Sequence, residues 1–117
     1  MNQDKLIVIK NFLKAIVKEK SASPFLKPVD YVGLGIPDYI TIITHPMDIS
    51  TISKKIEENK YQNVEEIYAD IQLVWDNCKK YNRDDSPVYK MAITCEKFTK
   101  RYFDKYNTWL KTATKSQ

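Results

Sequence analysis

A long helical pattern ends on Asp76-Asn77-Cys78-Lys79-Lys80-Tyr81-Asn82, followed by the polar run Arg83-Asp84-Asp85 and the helix-start signal Ser86-Pro87. A tyrosine and an asparagine therefore stand in a short turn between two apolar-striped helices. The asparagine amide offers one acceptor oxygen and two N–H donors, all uncharged. At the mouth of a helical bundle such a group is a handle for reading a neutral polar partner.

Few other residues invite chemistry. His45 is the only histidine, and no Cys or acidic cluster at ligand spacing accompanies it, so no metal site is expected. Cys78 and Cys95 form no CxxC pair and are too few for a disulfide framework. A reducing, intracellular setting suits them. A Cys–His pair for nucleophilic catalysis stays open as an alternative, to be tested by titrating the two thiols. With only two glycines, Gly33 and Gly35, there is no phosphate-cradling loop.

Four amphipathic helices must position these residues. From about Asp4 to Lys20, Leu6, Ile9, Phe12, Leu13, Ile16 and Val17 recur at three- and four-residue steps, with Asp4 as the expected N-cap. Asp48 is the expected cap of a second helix, 48–59, striped by Ile49, Ile52 and Ile56. Asn63, with Glu66 three residues on, reads as a capping box for a third, 63–81. Its stripe is Val64, Ile67, Tyr68, Ile71, Val74, Trp75, Cys78 and Tyr81. Ser86 and Pro87 open the fourth, 86–111, whose core face is Val88, Met91, Ala92, Cys95, Phe98, Tyr102, Tyr106 and Leu110, with Phe103 and Trp109 to the side. The tail after Lys111 is expected to fray.

Between the first two helices lies a long segment, 21–47, holding four of the five prolines and both glycines. Proline blocks helix continuation. Yet the segment is rich in apolar residues, from Phe25 and Leu26 to Ile43 and Met47, so it should pack against the bundle and form walls, with a short helical turn around Pro37–Ile43. No sustained two-residue alternation competes, and the expectation is an all-α four-helix bundle with one long loop.

The totals agree. A chain of 117 residues, 43% hydrophobic and 29% charged, fits one globular domain over 1–117 and excludes a disordered chain. No run of 18 apolar residues suggests a transmembrane helix, and the N-terminus does not resemble a signal peptide. The net charge of +4 invites a nucleic-acid reading. Its distribution is uneven: residues 1–20 carry net +3, residues 96–117 net +4, and residues 21–95 net −3. A basic helical domain binding nucleic acid through its first and last helices is therefore the alternative function, alone or as an auxiliary contact.

Four motifs, in order, resemble the bromodomain family. They are Phe25-Leu26-Lys27-Pro28-Val29-Asp30, Leu34-Gly35-Ile36-Pro37-Asp38-Tyr39, His45-Pro46-Met47-Asp48-Ile49-Ser50-Thr51-Ile52, and Asp76-Asn77-Cys78-Lys79-Lys80-Tyr81-Asn82. The resemblance implies a left-handed four-helix bundle enclosing a pocket for acetyl-lysine. By position, Asn82 would donate to the acetyl carbonyl and Tyr39 would reach the same oxygen through an ordered water. Pro24 and Phe25 would form the shelf, and Val29, Leu34 and Ile36 the loop wall. Cys78 and Tyr81 would form the floor and opposite side. Val88 would narrow the mouth, and Met47 would lie near bound water. The family often has Trp-Pro-Phe at the start of this loop, where this chain has Ser23-Pro24-Phe25.

The residue types suit that chemistry. Acetylation turns a strongly hydrated cation into a neutral amide, which an apolar slot accepts far more readily than the charge. No covalent step is needed, so a reader is expected and not an enzyme, with no cofactor. Asp30, Asp38, Asp84 and Asp85 flank the mouth-forming segments and would steer basic histone tails. The implied partners are acetylated histone tails or other acetylated proteins, the implied setting is the nucleus, without membrane attachment, and the implied state is a monomeric module.

Overall fold

The computed structural model describes residues 3–115, and side chains through residue 108. Its order is α1 (Gln3–Lys18), a 3₁₀ turn (Lys20–Phe25), α2 (Tyr39–Ile42), α3 (Ile49–Glu57), α4 (Val64–Tyr81) and α5 (Pro87–Lys115). No strand occurs among the described residues. The four longer helices pack as an all-helical bundle, as the apolar stripes require.

The helix starts follow local capping. Asp48 accepts the Thr51 N–H at 3.1 Å and also receives the Ser50 and Thr51 hydroxyls. Asn63 Oδ1 accepts from the Glu66 N–H at 2.9 Å, while Glu66 reaches back to the Gln62 N–H. Ser86 Oγ accepts from the Tyr89 N–H at 3.3 Å. At the end of α3, Asn59 takes φ 55°, a left-handed conformation that asparagine tolerates. Asn59 and Lys60 then donate back to the Ile56 and Lys55 carbonyls, closing the helix.

Several expectations need correction. Asp4 lies inside the first turn of α1 and does not cap it, a place where the helix dipole still favours a carboxylate. Val17 is 50% exposed. It sits roughly 100° around the helix from buried Ile16, past the edge of the covered face. The last helix runs to Lys115, beyond the expected end at Lys111. The expected positions of Leu110 and Trp109 lie outside the described side chains.

The core is centred on α4. Trp75 is fully buried; its indole N–H donates to Thr99 Oγ1 on α5 at 3.1 Å, and its ring meets Phe25 edge-on at 5.2 Å. Phe25 thereby ties the start of the long loop to the bundle. Phe12 of α1 stacks on Tyr102 of α5, and Tyr68 of α4 on Phe103 of α5. The Ser50 N–H of α3 donates to the Leu26 carbonyl at 3.0 Å, joining the start of the loop to the helix that follows it.

The loop packs less completely than its composition suggests. Phe25, Tyr39 and Ile43 are buried, but Val32, Leu34, Ile40 and Ile42 are exposed, Val32 to 76%. A segment broken by proline and glycine cannot present all its apolar side chains to one face. Gly33 and Gly35 shape its tip. The Gly33 N–H donates to Asp30 Oδ1 at 3.0 Å, and a β-carbon there would strike that carboxylate. Gly35 holds φ 69°, open to glycine without strain.

Candidate functional site

The loop, the end of α4 and the start of α5 enclose a cavity of about 290 Å³. All eleven residues singled out from the sequence line it: Pro24, Phe25, Val29, Leu34, Ile36, Tyr39, Met47, Cys78, Tyr81, Asn82 and Val88. Two more, Lys27 and Val74, were missed. Val74 was discoverable, since it lies one turn before Cys78 on the same stripe. Lys27 carries no periodic signal. Ser23, where a tryptophan often stands, is exposed and is not among the lining residues.

Asn82 follows the last residue of α4, in extended conformation. Its backbone N–H and its side-chain Nδ2 both donate to the Cys78 carbonyl at 3.0 Å, so it caps the helix and is held in place by it. Nδ2 also lies 3.5 Å from Cys78 Sγ, a weak sulfur contact. The Cys78 thiol donates to the Val88 carbonyl at 3.5 Å, linking the end of α4 to the start of α5.

Tyr39 begins α2 and is 6% exposed. Its hydroxyl makes no hydrogen bond to a described residue, yet no fully buried polar side-chain atom is orphaned among them. The hydroxyl is therefore accessible rather than fully buried, on a residue that lines the cavity. Burial raises its pKa above the ordinary tyrosine value, with Cys78 adding to the shift, so it remains a neutral donor. The Tyr39 ring meets Tyr81 edge-on at 5.0 Å and stacks on Tyr31 at 6.5 Å.

Asn77, one residue before Cys78, is buried although it falls off the expected stripe. Its Nδ2 donates to the His45 carbonyl at 2.9 Å, anchoring the loop just before Met47. Sequence periodicity gave no sign of this role.

The arrangement is poorly suited to nucleophilic chemistry. Burial pushes the Cys78 thiol up, opposed by the Asn82 hydrogen bond, and pushes Cys95 up to about 12. A reactive thiolate needs the opposite shift. His45 bonds Thr44 through Nδ1 and is exposed, and no thiol is its partner. What the cavity offers instead is a mostly apolar sleeve carrying the Asn82 amide and the Tyr39 phenol, with Lys27 and the Asp38-bonded Tyr81 also in its wall.

Residues 9–94 match the bromodomain family. The chain belongs to the bromodomain family. It is 48% identical over 90 residues to transcription factor GTE1 of Arabidopsis thaliana, covering 76% of this chain and 23% of that protein. It is 40% identical over 94 residues to an ankyrin repeat, bromo and BTB domain-containing protein of Dictyostelium discoideum, covering 80% of this chain and 12% of that one. Transcription factor GTE11 of Arabidopsis thaliana is 41% identical over 88 residues, 75% of this chain and 14% of its own length. This bromodomain thus spans less than a quarter of the length of these relatives.

The four aspartates read from the sequence as a steering rim have varied surroundings. Asp30 caps the Gly33 turn, Asp38 accepts from the Tyr81 hydroxyl at 2.7 Å, and Asp85 lies 3.4 Å from Arg83. Asp84 pairs with no described residue and is exposed.

Proposed function

We propose that this bromodomain is a single, monomeric module that reads acetylated lysine on histone tails or other nuclear proteins, without catalysis. The observation that carries the proposal is the meeting of the Asn82 amide and the free Tyr39 hydroxyl in one apolar cavity. A volume of about 290 Å³ is near the lower end of ligand sites, which run from about 300 to 1,000 Å³, and suits a single side chain.

The chemistry follows from the lining. Val29, Leu34, Ile36 and Val74 take the four-carbon stem of lysine. The acetyl carbonyl accepts from Asn82 Nδ2, displacing the weak contact with Cys78 Sγ. Tyr39 meets the same oxygen through a water, which costs little relative to a direct bond. An unmodified ammonium would lose its hydration with no carboxylate among the lining residues to replace it. Names of relatives as transcription factors support a nuclear setting. The aspartates near the mouth speed encounter with basic tails.

An array of histone-tail peptides, acetylated and unacetylated, tests the reading. Binding that requires acetylation is expected, with association rates that fall as salt rises. Equal binding to both forms, or none to either, would sink the proposal. Rates indifferent to salt would remove the steering role alone.

A further inference from the structure

A second cavity, of about 380 Å³, lies between α1 and α3 and shares no lining residue with the first. Its floor is Leu13, Val17 and Ile56. Val17 is 50% exposed. Ile7, 53% exposed, extends the same helical face, since it stands three and seven residues before Lys10 and Lys14. Ile7 and Val17 thus leave two half-exposed aliphatic side chains beside the trough.

The edge of the trough is charged in a regular way. Lys10, Lys14 and Lys18 line it from α1, four residues apart and so in one row. Lys14 and Lys18 make no ion pair with a described residue. Lys10 meets Glu57 across the trough at 3.7 Å, between side chains 50% and 72% exposed. An ion pair that open to water contributes little. The row runs about 12 Å along α1, the length of two helical turns.

We infer that this groove docks an acidic amphipathic helix from a partner protein. Such a helix meets both features at once. Apolar side chains at i, i+3, i+4 and i+7 fill the trough, and carboxylates along one flank face the lysine row. A phosphate backbone would use the lysines but leave the apolar floor uncovered. The inference is independent of the acetyl-lysine reading, because the two cavities have no residue in common.

The test is a titration of the isotope-labelled chain followed by amide chemical shifts. The probe is a helical peptide of roughly 16 residues, with leucines at helical spacing and glutamates along one flank. Shifts confined to α1 and α3 are expected. The exposed double variant Lys14→Glu/Lys18→Glu should bind about tenfold more weakly, reflecting two reversed rim charges. Replacing the peptide glutamates by lysines should abolish the shifts without altering the protein. Three results would overturn the inference: no shift at about 1 mM acidic peptide, equal binding of the lysine-flanked peptide, or shifts along α1 caused by duplex DNA but not by the acidic peptide. The last would make the lysine row a phosphate site.

Discussion

The Tyr81 hydroxyl donates to Asp38 Oδ1 at 2.7 Å, joining two residues 43 positions apart. One ends α4 and the other precedes α2, so the bond ties the long loop to the bundle beside the cavity. The hydrogen bond to Asp38 also raises the Tyr81 pKa, so the phenol stays a donor at neutral pH.

Tyr81→Phe keeps the ring against Tyr39 and removes this tie. Amide hydrogen exchange over Tyr39–Ile42 should accelerate, and acetyl-peptide affinity should fall a few-fold at most. Exchange rates matching those of the unaltered chain would show that the bond does not hold the loop.

Asn82→Ala removes both the cavity amide and the side-chain bond to the Cys78 carbonyl. Peptide binding should weaken by about 1–3 kcal/mol, the cost of an unmade buried hydrogen bond. That is roughly 5- to 150-fold in Kd. The lost cap bond should lower stability by about 1 kcal/mol without changing the helical circular dichroism. Isothermal titration beside a thermal melt separates the two effects; full affinity in the variant would remove Asn82 from the site.

Ser23 is exposed beside Pro24 and Phe25 at the cavity wall. A tryptophan there would add a few tens of Å² of apolar contact with the ligand stem. At about 25 cal/mol per Å² this approaches about 1 kcal/mol. Ser23→Trp should therefore tighten acetyl-peptide binding about fivefold, measured by the same titration. A neutral or adverse result would mean the loop cannot turn a large ring toward the cavity.

Thr99 is fully buried and accepts the Trp75 indole N–H at 3.1 Å. Thr99→Val conserves shape but leaves that donor unpaired in the core. Unfolding in urea should show a loss of about 1–3 kcal/mol. Trp75→Phe combined with Thr99→Val should cost less than the sum of the two single changes, because the pair then fails together.

Cys95 sets a pH dependence. Unfolded, its thiol ionises near the ordinary 9.0, whereas burial in the fold, with smaller contributions from Glu19 and Cys78, holds the proton up to about 12. Between those values the folded state binds more protons than the unfolded. Stability therefore falls as pH rises from about 9 toward 12 and is insensitive to this group below 9. Urea unfolding at about pH 8 and about pH 10 should show a larger drop for the parent chain than for Cys95→Ala. Equal drops would mean the thiol ionises alike in both states.

Much of the fold was legible along the chain because helix formation is local. Asp48, Asn63 and Ser86 cap their helices through bonds to residues three positions away. The stripes of α4 and α5 repeat every turn, so most of their inward faces followed from spacing, while buried Asn77 and Thr99 lie outside those stripes. The motifs around Pro24, Tyr39, Met47 and Asn82 marked in advance the residues that line the first cavity. Asp4 and Val17 escaped because capping and burial at a helix edge depend on what covers it. Nothing local told which apolar residues of 21–47 would be buried, since proline and glycine remove the periodicity that would reveal a face. The Tyr81–Asp38 bond, the Asn77 anchor on the His45 carbonyl and the place of Lys27 in the cavity wall all join distant segments. The lysine-edged groove likewise exists only once α1 and α3 lie side by side. Such contacts are decided by packing across the bundle, where shape and hydrogen-bond geometry in three dimensions select partners that spacing in the chain does not encode.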